Sequence, residues 1–237
     1  MVVVGTRLAH HDPALVMNFF GHACIAARRE RSAEFILGAM LPDFASMLGA
    51  RGTHSTCDET AAGIRFHHAT DRVFHETRNF KDLSLASSNW LSARALDRGP
   101  ARAVAHIGTE ILLDTFLAQE DGALLAYTGA LCVGTKAGQL PNVTISPPHL
   151  ETALPKLCGT LLEATPRLAD PRPEAIALRV FRTLSHRPKL ALKDTEVSLV
   201  TDWARHFAPE VCSVAASWMQ ELENELKGAH SDAQIES

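Results

Sequence analysis

Two lines of imidazoles and carboxylates are written into this sequence. His106, Glu110 and Asp114 follow one another at i, i+4 and i+8, and His67, Asp71 and His75 repeat that spacing. Residues four apart share one face of an α-helix, so each triplet becomes a polar stripe if its segment is helical. Around the first stripe, Val104, Ile107, Ile111, Leu112, Leu113, Phe116 and Leu117 are apolar nearly all round the circumference, which predicts a largely buried helix. Burying carboxylates without partners is prohibitively costly, so a metal ion or a basic side chain has to face them. Facing each other, the two stripes offer the mixed nitrogen and oxygen donors that suit Mn²⁺, Fe or Mg²⁺ and, with fewer carboxylates, Zn²⁺. The competing reading is plain ion pairing of Asp71 and Glu110 with Arg65, Arg72 or Arg102, the histidines being ordinary core or surface residues.

Two more polar residues sit among apolar neighbours: His22 in Asn18-Phe19-Phe20-Gly21-His22, and Asp43 in Leu41-Pro42-Asp43-Phe44. Alone, Asp43 reads equally well as a turn or helix-end residue and His22 as a core histidine.

The elements that must position these side chains are helices. Five stretches carry helical spacing, at about 18–30, 33–48, 60–80, 88–98 and 101–120, and alternating β-branched runs are nearly absent. From 121 to 148 charge almost vanishes while Gly122, Gly129, Gly134, Gly138, Pro141, Pro147 and Pro148 accumulate, which reads as a loop-rich connection with at most one short helix. Further on, Ile176, Val180 and Leu184 mark a helix opened by Pro173 and closed by Pro188. Val197 to Phe207, then Val211 to Leu222 beyond Pro209, predict two more. With 237 residues, 46% of them apolar, the expected fold is all-α: a single-domain helical bundle over 17–227, an N-terminal extension at 1–16 with Met17 as a second candidate start, and a polar tail at 228–237. The His11-Asp12 pair falls in that extension, just before Pro13, a poor setting for helix-borne ligands.

Composition excludes several classes. A formal charge of −4 argues against a nucleic-acid-binding surface. No run approaches the roughly 18 apolar residues needed to cross a bilayer, and Val2-Val3-Val4 is too short for a signal segment. The five cysteines are widely spaced, with no C-x-x-C pair, and read as reduced thiols of a cytoplasmic protein.

Several of these segments, taken together, resemble the acyl carrier protein phosphodiesterases in order and spacing. They are Met17-Asn18-Phe19-Phe20-Gly21-His22, Leu41-Pro42-Asp43-Phe44, Ala62-Gly63-Ile64-Arg65-Phe66-His67 with Asp71, and Leu113-Asp114-Thr115-Phe116-Leu117. Ser185-His186-Arg187-Pro188-Lys189-Leu190 extends the resemblance towards the C-terminal end. That family is regarded as an unusual branch of the HD metal-dependent phosphohydrolases. It frees the 4'-phosphopantetheine arm of acyl carrier protein by cutting a phosphodiester to serine with a divalent metal, typically Mn²⁺. The resemblance implies that His22, Asp43, His67, Asp71 and Asp114 form the metal and catalytic set. The chain departs from the family pattern at His68, where Arg is usual, at His75 and Glu110, where Asp is usual, and at Thr115, where His is usual.

The expectation is therefore a phosphodiester hydrolase. His22, Asp43, His67 and Asp114 hold Mn²⁺, or else Fe or Mg²⁺; Asp71 or Glu110 orients the water or acts as base; Arg187 or Lys189 steadies the phosphate; and acyl carrier protein or a small phosphodiester is the substrate. Two rival readings keep the scaffold. One is a catalytically inactive helical binding protein; the other is a di-iron carboxylate oxidoreductase, whose Glu-x-x-His spacing this sequence lacks.

Overall fold

The computed structural model describes residues 19–29, 32–50, 52–136, 143–146 and 152–235. The N-terminal extension, with His11-Asp12, lies outside them. The described chain is an all-α bundle. Its helices are α1 (Phe19–Arg29), α2 (Ala33–Met47), α3 (Asp58–Glu76), α4 (Arg78–Ser92), α5 (Arg98–Leu117), α6 (Ala123–Thr135), α7 (Ala153–Ala164), α8 (Pro173–Ser185) and α9 (Val197–Ile235). Two short strands, β1 (Gly52–Ser55) and β2 (Val143–Ser146), pair antiparallel with Gly52 opposite Ser146 and Ser55 opposite Val143.

The α2 and α3 helices meet at glycine. A Cβ at Gly38 would sit 2.3 Å from the Thr60 carbonyl oxygen, and one at Gly63 would sit 2.1 Å from that of Phe35. Without side chains there, the two backbones approach closely, and Asp43 and His67, each little more than one turn further on, are drawn together. Pro42 lies inside α2 and supplies no N–H to the preceding turn.

The α5 helix is buried on nearly every side, as its circumference predicts, and α1, α4, α8 and α9 pack around it. A Cβ at Gly108 would stand 2.3 Å from the Trp203 ring, so this glycine seats the α9 indole against α5. Trp218 stacks on Phe74 at 5.0 Å and donates its indole N–H to the Thr77 hydroxyl at 2.9 Å. Each fully buried indole of this kind contributes about 2–3 kcal/mol and pins the end of α3 and the middle of α5 to one scaffold.

Four expectations change. The helix foreseen at 88–98 is α4, Arg78–Ser92, because the chain turns at Thr77, which ends α3 and opens α4 in an extended conformation (φ −57°, ψ 145°). Of the stretch from 121, Ala123–Thr135 is helix: α6 packs on α1, α2 and α7, and two of the glycines that read as breakers serve it. Gly122 takes φ +81° just before the helix, while Gly134 admits the Cys158 sulfur where a Cβ would lie 2.4 Å away. The helix α7 carries Leu154, Leu157, Cys158 and Leu161 inward beneath α6, a pattern the sequence reading passed over. Finally, α9 is one helix through Pro209 and on through the segment that reads as a polar tail. Val200, Trp203, Ala204, Phe207, Val211, Ala215, Trp218, Leu222 and Leu226 stay buried in one continuous phase, and this burial outweighs the single backbone hydrogen bond that proline removes.

Candidate metal centre

His22 on α1, Asp43 on α2 and His67 on α3 converge, each with one ligating atom within 4.8 Å of the other two. The imidazoles of His22 and His67 lie 4.1 Å apart between ring centroids. His67 donates its Nδ1–H to the Ala39 carbonyl oxygen at 2.9 Å, and since a carbonyl only accepts, the neutral ring keeps Nε2 unprotonated. Its Nδ1 is also 4.0 Å from Asp43 Oδ2. Two polar atoms of the group, His22 Nδ1 and Asp43 Oδ2, are sealed from solvent with no hydrogen-bond partner. The Asp43 side chain keeps 22% of its surface accessible, so the group opens at one edge.

Electrostatics describes a site short of positive charge. Burial, reinforced by His67, His75 and His68, holds the His22 imidazole well below its ordinary pKa. Burial likewise lowers His67 to about 4, against the favourable bond to Ala39. Asp43 moves well above the usual carboxylate range through burial first, then the nearby charges of Glu110, Asp71 and Asp114. A divalent cation would restore the ionised form of the carboxyl, while the two imidazoles already stand in the neutral form that ligates a metal. The donor set, two nitrogens and one oxygen from three rigid helices, fits Mn²⁺, Fe²⁺ or Zn²⁺ better than Mg²⁺, which favours an all-oxygen shell.

Asp114 stands outside this group. Its Oδ2 lies 3.5 Å from Arg179 Nη2, and the Gly21 backbone N–H also donates to it. Burial raises its pKa to about 7 against the pull of that guanidinium. Arg179 is itself buried and donates to the Thr115 hydroxyl at 3.1 Å and to the Leu168 carbonyl. The basic partner required by the α5 stripe at this end is thus Arg179. The sequence carried the signal: Ile176, Arg179, Val180, Thr183 and Leu184 share one face of α8, so Arg179 belongs to its buried side.

Asp71 follows His67 by one turn of α3; its side chain is 48% exposed, and its Oδ1 approaches His75 Nδ1 at 3.4 Å. Glu110 is fully buried and meets His75 and His106 rather than the His22 group. Arg187 and Lys189 are exposed in the turn after α8 and touch none of these residues. Comparison of the chain with protein-family models, with curated proteins and with solved structures finds no match. No described helix is long and apolar enough to cross a membrane.

Proposed function

We propose that the chain is a divalent-metal-dependent phosphodiester hydrolase whose ion is held by His22, Asp43 and His67. The observation that carries this reading is the convergence of three donors from three helices, two of them sealed and unpartnered. Core packing rarely leaves such atoms without partners, because each costs about 1–3 kcal/mol. A bound ion supplies Lewis acidity, lowering the pKa of water and polarising a phosphoryl oxygen.

The chain's own residues set up the rest. Ala39 fixes the His67 tautomer, and α2 and α3, locked at Gly38 and Gly63, keep Asp43 and His67 in register. Asp71, half exposed one turn on from His67, would accept a proton from water or orient it. Arg179 lies 3.5 Å from Asp114 and supplies a positive charge to that carboxyl from α8. Phosphopantetheine release from acyl carrier protein is the substrate that the resemblance implies; the site geometry supports the chemistry and selects no substrate within it.

The test measures Mn²⁺-stimulated hydrolysis of an aryl phosphodiester, together with the mass of holo acyl carrier protein incubated with enzyme and Mn²⁺. We expect His22→Ala and His67→Ala to lose bound metal and at least about 100-fold in turnover while retaining helical circular dichroism. Loss of the prosthetic arm from the carrier would establish that substrate. Wild-type protein that binds no ion and cleaves neither substrate would defeat the reading.

A further inference from the structure

A second cluster of ligating groups lies further along α3. His75, in its last turn, meets His106 and Glu110 of α5, again with one ligating atom from each within 4.8 Å of the others. His75 Nε2 is 3.2 Å and His106 Nε2 3.4 Å from the same oxygen, Glu110 Oε1. Glu110 is fully buried, and its other oxygen, Oε2, has no partner.

Proton bookkeeping makes this arrangement incomplete. His75 donates Nδ1–H to the Asp71 carbonyl oxygen at 2.9 Å, so its Nε2 meets Glu110 Oε1 either as the N–H of a charged ring or, in a neutral ring, as a lone pair against another acceptor. A second proton on His75 would satisfy that contact and still leave Oε2 bare. One cation between the three groups would be met by an atom of each. The rings are also held ready: the imidazoles of His75 and His106 stack at 4.9 Å and 17°, and the buried Phe80 ring stands at 87° to each. Glu110 forms the floor of the cluster, while the side chains of His75 and His106, 26% and 42% exposed, form a rim through which an ion can enter.

We infer that His75, His106 and Glu110 form a second, separate metal site that takes a divalent transition-metal ion, Zn²⁺ best matching two imidazoles and one carboxylate with a coordination position left open to solvent. Its one ligand on α3, His75, is two turns from His67, about 12 Å along the axis, and the two sites have no ligand in common. Two of the three ligands, His75 and Glu110, are positions where this chain departs from the phosphodiesterase pattern. The inference stands whether or not the chain hydrolyses phosphodiesters.

Ion content of the full chain, measured by mass spectrometry of the metal after equilibration with buffered free Zn²⁺, tests it. We expect two ions per chain in the wild type, one in Glu110→Gln, one in His106→Ala, one in His22→Ala, and none in the His22→Ala/His106→Ala double variant. His106 lies at the rim, so His106→Ala should fold normally, with unchanged helical circular dichroism, even if the buried Glu110→Gln does not. A wild type holding one ion that survives both His106→Ala and Glu110→Gln overturns this site. One ion that survives His22→Ala but is lost in His106→Ala upholds it and removes the support for the first centre.

Discussion

Asp43 and Asp114 are both carboxylates buried near α1, yet their surroundings differ in kind. Asp114 has a cation built into the protein, the guanidinium of Arg179, and a backbone N–H from Gly21. Asp43 faces two imidazoles; one oxygen of each carboxylate, Asp43 Oδ2 and Asp114 Oδ1, is sealed without a hydrogen-bond partner, so what separates them is the cation beside Asp114. A buried carboxylate whose charge is met inside the fold belongs to the architecture; one met only by neutral histidines awaits a charge from outside.

The largest effect should come from removing the internal cation. Arg179→Met leaves Asp114 buried and alone and should cost about 3–5 kcal/mol in chemical denaturation with metal content unchanged. If the variant keeps its stability and loses its ion instead, the pair belongs to the functional centre and the contrast collapses.

A sharper comparison makes one chemical change at two places. Asp114→Asn strands Arg179 and should destabilise the protein by about 3 kcal/mol. Asp43→Asn, assayed without metal, replaces a carboxyl that burial already keeps from ionising, and should shift stability by less than about 1 kcal/mol while abolishing ion binding. Equal losses in the two variants would show that Asp43 is structural.

The pH dependence of the metal-free protein carries the next effect. The folded pKa of His67 is about 4, below its ordinary 6.5, so the unfolded chain takes up this proton first as pH falls. The stability tied to His67 is therefore whole above pH 6.5 and drains as pH falls towards 4, by about 2 kcal/mol at pH 5. Asp114, raised to about 7, slopes the opposite way over the same range, so the measurement is the difference between wild type and His67→Gln at pH 7.5 and pH 5. A difference that does not change with pH would mean that His67 titrates in the fold as it does in the unfolded chain.

Arg187→Ala and Lys189→Ala should do least, within about 0.5 kcal/mol in stability and with no change in ion content, since both side chains are exposed and away from the clusters. A rise in KM for phosphodiester with kcat unchanged would return them to the role of phosphate contacts.

Helical class, the burial of α5 and both polar stripes were legible as periodicity, because burial imposes a 3.6-residue rhythm on any helix that packs. The donors that now form two groups, His22, Asp43, His67, His75, His106 and Glu110, were visible as polar residues in helical register or apolar company. Their partition was not legible, since it depends on which helices meet and where. Gly38 and Gly63 bring α2 against α3 and join Asp43 to His67; Arg179 reaches α5 from α8 and claims Asp114; His75 spans to α5 and draws Glu110 away from the first group. Glycine misled the reading of 121–148 for a related reason: alone in a sequence it signals a turn, but at Gly134 it is the gap into which a neighbouring helix fits a sulfur. Spacing along the chain sets which face a side chain occupies, while the identity of its partner rests on contacts between residues far apart in sequence, which no local rhythm encodes.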